Sequence, residues 1–237
     1  MKQPAVAAVV LAGGRSRRLG MDKTTMPWPP PPLGQAGPAN VPSLLSVVAG
    51  HLAAICSEVI LVNYRGAIPL PYRTVPDAYP DSGSLGGIYS GLAAASDGWA
   101  FAVAADMPFL NGALIRHMLA LPREWDALVP RIGGRPEPLH ALYGPACLPA
   151  MRRRIEARQL KIAGFFEDVQ VRFLEEAEVR RFDPDLRSFF NINTPADLEQ
   201  AQVLFERTHR PGPRPSPAPT RNGGDTRSPP HVERGRG

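Results

Sequence analysis

Cysteine is nearly absent from this chain of 237 residues: Cys56 and Cys147 are the only two. They lie far apart, in no CxxC spacing, which excludes a disulfide framework and a thiolate metal centre. No long hydrophobic run occurs either. The most apolar stretch, residues 5–12, falls well short of the ~20 residues that span a bilayer. Its arginines follow it, the wrong order for a signal peptide, and Arg17-Arg18 fits a twin-arginine signal no better. A cytoplasmic protein without a membrane partner is the expectation. Strong net charge is also missing from the body of the chain. Of the net +5, residues 211–237 hold five arginines against Asp225 and Glu233 (5 − 2 = +3), leaving +2 for the first 210 residues. Apart from the run Arg152–Arg154, basicity is a property of the tail, so nucleic acid is not an expected partner.

Apolar residues make up 43% of the sequence, enough for a folded core. Proline is plentiful but clustered: of 28, seven lie in 27–42 and seven in 211–237. Residues 211–237 have almost nothing to bury against the entropy of ordering and are expected to be disordered. The expected organisation is one domain over 1–210, interrupted by a proline-rich insertion at about 27–42, followed by that tail. Pro29–Pro32 reads as locally extended polyproline.

The valine-rich run 5–11, ended by Gly13-Gly14, has the pattern of a strand buried on both faces. Similar runs recur at 58–62, 100–105 and 127–130. Between them lie helical patterns at 43–55 with Ser43 as N-cap, 85–95, and 111–121 with Asn111 as N-cap. Thr194-Pro195 reads as a cap and first helical residue for 196–207. Alternating strands and helices predict an α/β fold with a mostly parallel sheet covered on both faces. Ligands of such sheets bind beyond the strands' carboxyl ends.

The loop after the first strand reads Leu11-Ala12-Gly13-Gly14-Arg15-Ser16-Arg17-Arg18-Leu19-Gly20-Met21-Asp22-Lys23. Paired glycines permit a sharp turn with amides facing a phosphate, and four cations stand ready for its charge. The pattern is neither Walker A nor GxGxxG. It resembles the LAGGxSxRMGxDK signature of the molybdenum cofactor guanylyltransferase family of nucleotidyltransferases, with Leu19 in place of Met. Three further segments resemble that family in order. Asp77 with Gly83-Ser84-Leu85-Gly86-Gly87-Ile88 resembles its aspartate and GPLAGI. Asp106-Met107-Pro108-Phe109-Leu110 resembles DMPFL. Phe189-Phe190-Asn191-Ile192-Asn193-Thr194-Pro195 resembles FVNxNTP. The resemblance covers about residues 5–205 and implies a Rossmann-like three-layer nucleotidyltransferase fold.

By that resemblance, Leu11, Ala12, Gly13, Gly14, Lys23, Asn63, Asp77 and Asp106 contact GTP. The backbone of 11–14 would hold the triphosphate, and Lys23 would neutralise phosphate oxygens. Asp106, delivered by a buried strand to the sheet edge, suits Mg²⁺, a hard ion that takes one or two carboxylates beside phosphates. Asp77 and Asn63 would meet base or ribose, although turn chemistry explains either. Asn191 and Asn193 alternate around Ile192 and so share a face. The family places them near the pterin, with Lys161 and Arg18 as further candidates for substrate phosphate. Lys23, Asp106 and Arg18 are the candidate catalytic groups. His140 matches a family segment beside the site, or simply lines the sheet.

The implied reaction transfers GMP from GTP to the terminal phosphate of molybdopterin or its molybdenum-bearing form. The implied partners are those two substrates, with transient contact to cofactor-biosynthesis or acceptor enzymes. Two rival enzymes share the fold: the cytidylyl enzyme acting on the same pterin, which resembles LAAG where this chain has Gly13, and a sugar- or alcohol-phosphate nucleotidyltransferase. A non-catalytic binding protein working through the tail is a rival of another class. Deleting 211–237 would separate it from an enzyme.

Overall fold

The computed structural model describes residues 6–13, 25–31, 41–66 and 69–209. The chain runs β1 (Ala7–Leu11), α1 (Leu44–Ala53), β2 (Glu58–Val62), β3 (Arg73–Val75), α2 (Gly83–Ala94), β4 (Ala100–Ala104) and α3 (Gly112–Ala120). It continues through β5 (Ala127–Ile132), β6 (Arg135–Pro136), β7 (His140–Tyr143), α4 (Cys147–Glu156), β8 (Val171–Glu175), α5 (Glu176–Val179) and α6 (Pro195–His209). Two 3-10 turns, Ile162–Asp168 and Arg187–Phe189, punctuate the last third.

The eight strands form one sheet in the order β3-β2-β1-β4-β7-β5, with β6 and β8 also on β5. β1 to β4 are parallel, β7 runs antiparallel to both β4 and β5, and β8 is parallel to β5. The carboxyl ends of β1, β2, β3, β4 and β5 therefore reach one edge.

β1 shows why its sequence is continuously apolar. Val6, Ala8 and Val10 enter one core with α1 and α3, while Ala7 and Val9 enter a second with α2 and α4. Three layers result. The expected caps form: Ser43 Oγ accepts from Ser46 N (3.2 Å), and Asn111 Oδ1 from Ala113 N and Leu114 N (2.9 and 3.0 Å). Thr194 Oγ1 accepts from Asp197 N at 3.2 Å while Asp197 Oδ2 accepts from Thr194 N at 2.8 Å, a reciprocal cap. Both cysteines are buried and free, and burial pushes each thiol up to about 12.

The proline-rich insertion is anchored at its ends. Trp28 N donates to Pro42 O (2.8 Å) and Leu44 N to Met26 O (2.7 Å). Trp28 is buried, edge-on to Phe109 and Phe205. The rest of the insertion, residues 32–40, and the tail 211–237 lie outside the described residues. Among the described residues, no helix is long and apolar enough to cross a membrane.

Candidate active site

Strand register assembles the site. Leu11 pairs with Val62 on one side and Ala104 on the other, and Val62 pairs with Val75. Gly13, Asn63, Asp77 and Asp106 each follow one of these strands, so they emerge together at the carboxyl edge. Gly14, Arg18 and Lys23 lie outside the described residues.

Sheet hydrogen bonding along β1 extends to Ala12. Ala12 N donates to Val62 O (3.1 Å), and Leu11 O accepts from Ala105 N (3.3 Å). These groups belong to the sheet. Of the backbone of 11–14 expected to hold the triphosphate, the Ala12 amide is instead used by the sheet, and Gly13 is the last residue of that stretch among the described residues. Leu11 instead acts through its side chain, against α2. A Cβ on Gly87 would lie 2.9 Å from Leu11 Cδ2, and one on Gly91 would collide with Val9. Gly87 and Gly91 thus seat α2 directly on β1, while Ser84 is exposed.

Asn63 and Gly13 fit each other. Asn63 has a left-handed backbone (φ 57°), which asparagine tolerates better than most residues. Its amide donates to Val75 O (2.8 Å), and its Oδ1 accepts from Arg65 Nε (3.1 Å). A Cβ at position 13 would sit 2.7 Å from Asn63 Nδ2 and 3.0 Å from its Cβ. Glycine at 13 therefore vacates the space that the Asn63 side chain fills.

Asp77 serves the local turn first. Its Oδ1 accepts from Tyr79 N (3.0 Å) and lies 3.2 Å from the Ser90 hydroxyl. Ser90 in turn accepts from Ala78 N (2.9 Å) and donates to Gly86 O (2.7 Å). The carboxylate is fastened to α2 with Oδ2 left for a ligand.

Asp106 sits in the turn after β4, and its Oδ1 is buried. Ile192 N donates to Asp106 O at 3.0 Å, which ties the segment 191–193 directly to the β4 loop. Ile192 is fully buried, while Asn191 is half-buried and Asn193 exposed, as alternation around a core residue requires. Asn191 Nδ2 donates to Phe189 O (3.0 Å), and Asn193 N to Asp197 Oδ2 (2.9 Å). Lys161 does not join them. It is exposed, and the adjoining turn packs Ile162 and Phe165 into the core on the opposite face of the sheet from Ile192.

Sequence reasoning missed the residues that hold this strap. Asp183, 4% exposed, accepts from Arg187 N (3.1 Å) and Ser188 N (2.8 Å). Ser188, fully buried, accepts from Asn111 N (2.9 Å), and Asn111 Nδ2 donates to Phe182 O (2.9 Å). The strap and the loop leading from Asp106 into α3 are thereby clamped together. An Asp-Pro-Asp sequence before a short turn was the one local signal. His140 is fully buried beside this clamp, between the rings of Phe101 (5.0 Å) and Phe189 (4.9 Å). Burial lowers its pKa from 6.5 to about 4, with the Asp183 charge opposing.

The donor set bears on a metal. Among the described residues, no group of three or more His, Cys, Asp or Glu could hold an ion. Asp106 at the strand end offers a hard oxygen ligand, and Mg²⁺ commonly completes its shell with substrate phosphates and water. Asp106 fits that ion when nucleotide is present.

Known proteins share this architecture. A family profile described as "MobA-like NTP transferase domain" matches residues 8–169. A protein of Pelotomaculum thermopropionicum named probable molybdenum cofactor guanylyltransferase is 34% identical over 202 residues, spanning 84% of this chain and 93% of its own. One of the same name from Chloroflexus aggregans is 36% identical over 215 residues, spanning 86% and 97%. The crystal structure of molybdopterin-guanine dinucleotide biosynthesis protein A from Archaeoglobus fulgidus superposes with a TM-score of 0.70 at 27% identity. It covers 85% of this chain and 100% of that one. The resemblance carried by the four motifs, and the fold it implied, are borne out.

Proposed function

Since the chain belongs to the MobA-like NTP transferase family of nucleotidyltransferases, we propose that it transfers the guanylyl group of GTP to the terminal phosphate of molybdopterin or its molybdenum-bearing form. Pyrophosphate leaves, and molybdopterin guanine dinucleotide forms. The observation that carries this reading is the hydrogen bond from Ile192 N to Asp106 O, 3.0 Å long. It ties the backbone of the 191–193 strap to the backbone of the turn that carries Asp106, the two segments to which this reading gives the acceptor and the nucleotide. The names of the relatives support the same donor and acceptor.

The chemistry is a displacement at phosphorus. An oxygen of the acceptor phosphate bonds to the α-phosphorus of GTP while the bond to the bridging α–β oxygen breaks, and pyrophosphate takes the electron pair. A phosphate monoester is largely ionised near neutral pH, so the nucleophile needs no general base. The protein's task is to hold two polyanions in line and balance their charge. Lys23 and Arg18 supply positive charge in this reading, and Gly13 presents backbone to the phosphates without a Cβ. Asn63 Nδ2 donates to the base or ribose, and the outer oxygen of Asp77 accepts from it. Asn191 and Asn193 orient the acceptor. Asp106 would hold Mg²⁺. Bound Mg²⁺ supplies charge neutralisation to the triphosphate and the leaving pyrophosphate.

Thermal unfolding with GTP, CTP, ATP and UTP, each with and without Mg²⁺, tests the donor. GTP at 100 times its dissociation constant adds about 2.7 kcal/mol, and the gain should be selective and larger with Mg²⁺. A CTP-selective response would replace the guanylyl reading with the cytidylyl one. A product assay with molybdopterin completes the test: Asp106→Asn should lower turnover by ~100-fold or more, and near-normal turnover would remove the metal role.

A further inference from the structure

The two ends of the proline-rich insertion form a short stem. They meet antiparallel at Pro27 and Ser43. The bonds from Trp28 N to Pro42 O (2.8 Å) and from Leu44 N to Met26 O (2.7 Å) flank that pair. Met26 and Trp28 are 1% and 4% exposed and belong to the core that α1 and α3 share, so the stem is fixed to the domain.

The Trp28 ring is wedged between two elements of the candidate active site. On one side stands Phe109, with centroids 5.6 Å apart and planes at 76°. On the other stands Phe205 of α6, at 5.8 Å and 82°. Phe109 in turn meets Phe190 at 5.9 Å and 62°. Four rings therefore run from α6 through the stem and the turn after β4 to the strap. Each pair is edge to face, an arrangement that aromatic rings favour.

The positions of these rings give the ladder its meaning. Phe109 lies between Asp106 and Asn111 in the turn, and Phe190 immediately precedes Asn191. Two hydrogen bonds tie the turn to the strap region: Ile192 N to Asp106 O (3.0 Å) and Asn111 N to Ser188 Oγ (2.9 Å). Those bonds fix the two segments to each other. Trp28 supports them from a third element, packing on the turn through Phe109 and, through Phe205, on the helix into which the strap runs. Without the ring, Phe109 borders a void into which the turn can relax.

We propose that Trp28 is a positioning residue: from the stem of the insertion it holds the turn that carries Asp106 against the strap that carries Asn191. It acts through Phe109 and not on a substrate. The proposal rests on the guanylyl-transfer reading for the roles of Asp106 and Asn191. A misplacement of about 1 Å at such groups can cost on the order of 100-fold in rate.

Hydrogen exchange in the ligand-free, full-length protein reads the positioning directly, because local opening shows at the amides that it frees. Trp28→Leu keeps apolar bulk and drops the ring. In this variant the Ile192 and Asn111 amides, taken relative to the Val9 amide in β1, should exchange about tenfold faster than in wild type. Trp28→Phe should restore the ratio to within about threefold. Leu52→Ala removes bulk from the same core near the far end of α1, and it should leave the ratio unchanged. Should Trp28→Leu not fold, Phe109→Leu breaks the same ring contact from the turn side, with the same expectation. The second readout is the part of GTP's thermal stabilisation that depends on Mg²⁺. It should shrink in Trp28→Leu, return in Trp28→Phe and persist in Leu52→Ala. An unchanged exchange ratio in Trp28→Leu, or an equal change in Leu52→Ala, would overturn the proposal. So would a Mg²⁺ increment that wild type shows and Trp28→Leu keeps in full. If the exchange ratio responds while wild type shows no response to GTP, the guanylyl reading fails and the hold of Trp28 on the turn stands. If wild type responds to GTP and Mg²⁺ while the ratio stays fixed, the reverse holds.

Discussion

Replacing Gly13 by alanine adds one methyl group at the point where the first two strands deliver their loops. That carbon would lie 2.7 Å from Asn63 Nδ2 and 3.0 Å from Asn63 Cβ. Optimal separation is about 3.5–4.0 Å, so the methyl group intrudes by roughly 1 Å on the nearest atom. Asn63 has little freedom to yield. Its left-handed backbone is bonded to Val75 O, and its side chain to Arg65. Overpacking of this kind costs about 1–3 kcal/mol. Asn63→Gly removes the obstacle and keeps a residue at ease with φ 57°. Urea denaturation of wild type, Gly13→Ala, Asn63→Gly and the double variant should therefore give a strongly non-additive cycle. The alanine should cost about 1–3 kcal/mol beside Asn63 and close to nothing once Asn63→Gly has cleared the space. In thermal shifts, Gly13→Ala and Asn63→Gly should each weaken GTP by about 2- to 12-fold, the value of one hydrogen bond at 0.5–1.5 kcal/mol. Stabilities that add within about 0.5 kcal/mol would refute the packing argument. Unchanged GTP affinity in both single variants would remove Asn63 from the nucleotide site.

The other expectations concern the buried polar groups behind the strap. His140 is depressed to about 4 in the folded protein against 6.5 when unfolded, so the unfolded chain binds the extra proton first. Its contribution is complete above pH 6.5 and is lost as pH falls toward 4, about 3 kcal/mol in all. His140→Phe should flatten the fall in unfolding free energy between pH 7 and pH 4 relative to wild type; parallel curves would contradict the burial argument. Asp183→Asn places an amide NH₂ against one of two backbone N–H groups and should cost about 1–3 kcal/mol. Because Asp183 holds the strap and not the nucleotide loops, KM for the acceptor should rise more than KM for GTP. Equal changes in both would contradict the clamp.

The parts legible in the sequence are those whose cause is local. β1 is continuously apolar because neighbouring residues enter opposite cores, and Ser43, Asn111 and Thr194 announce their helices because each cap bonds an amide two or three residues on. Once such strands are placed, the edge rule agrees with the family resemblance on Asn63 and Asp106, whereas Asp77 is named by the resemblance alone, because the three-residue strand before it is too short to be read. β7 escapes because it is four residues long, antiparallel within a parallel neighbourhood, and begins with a histidine. Ser188 escapes because its role is defined by Asn111, 77 residues away. Gly13 shows where the two kinds of information meet. Its identity can be read as a family preference, yet its physical reason is the register that sets Leu11 beside Val62 and so brings Asn63 against it. A substitution at 13 is therefore a question about residue 63, and the double-variant cycle tests whether the first loop is shaped by its own glycines or by the neighbouring strand.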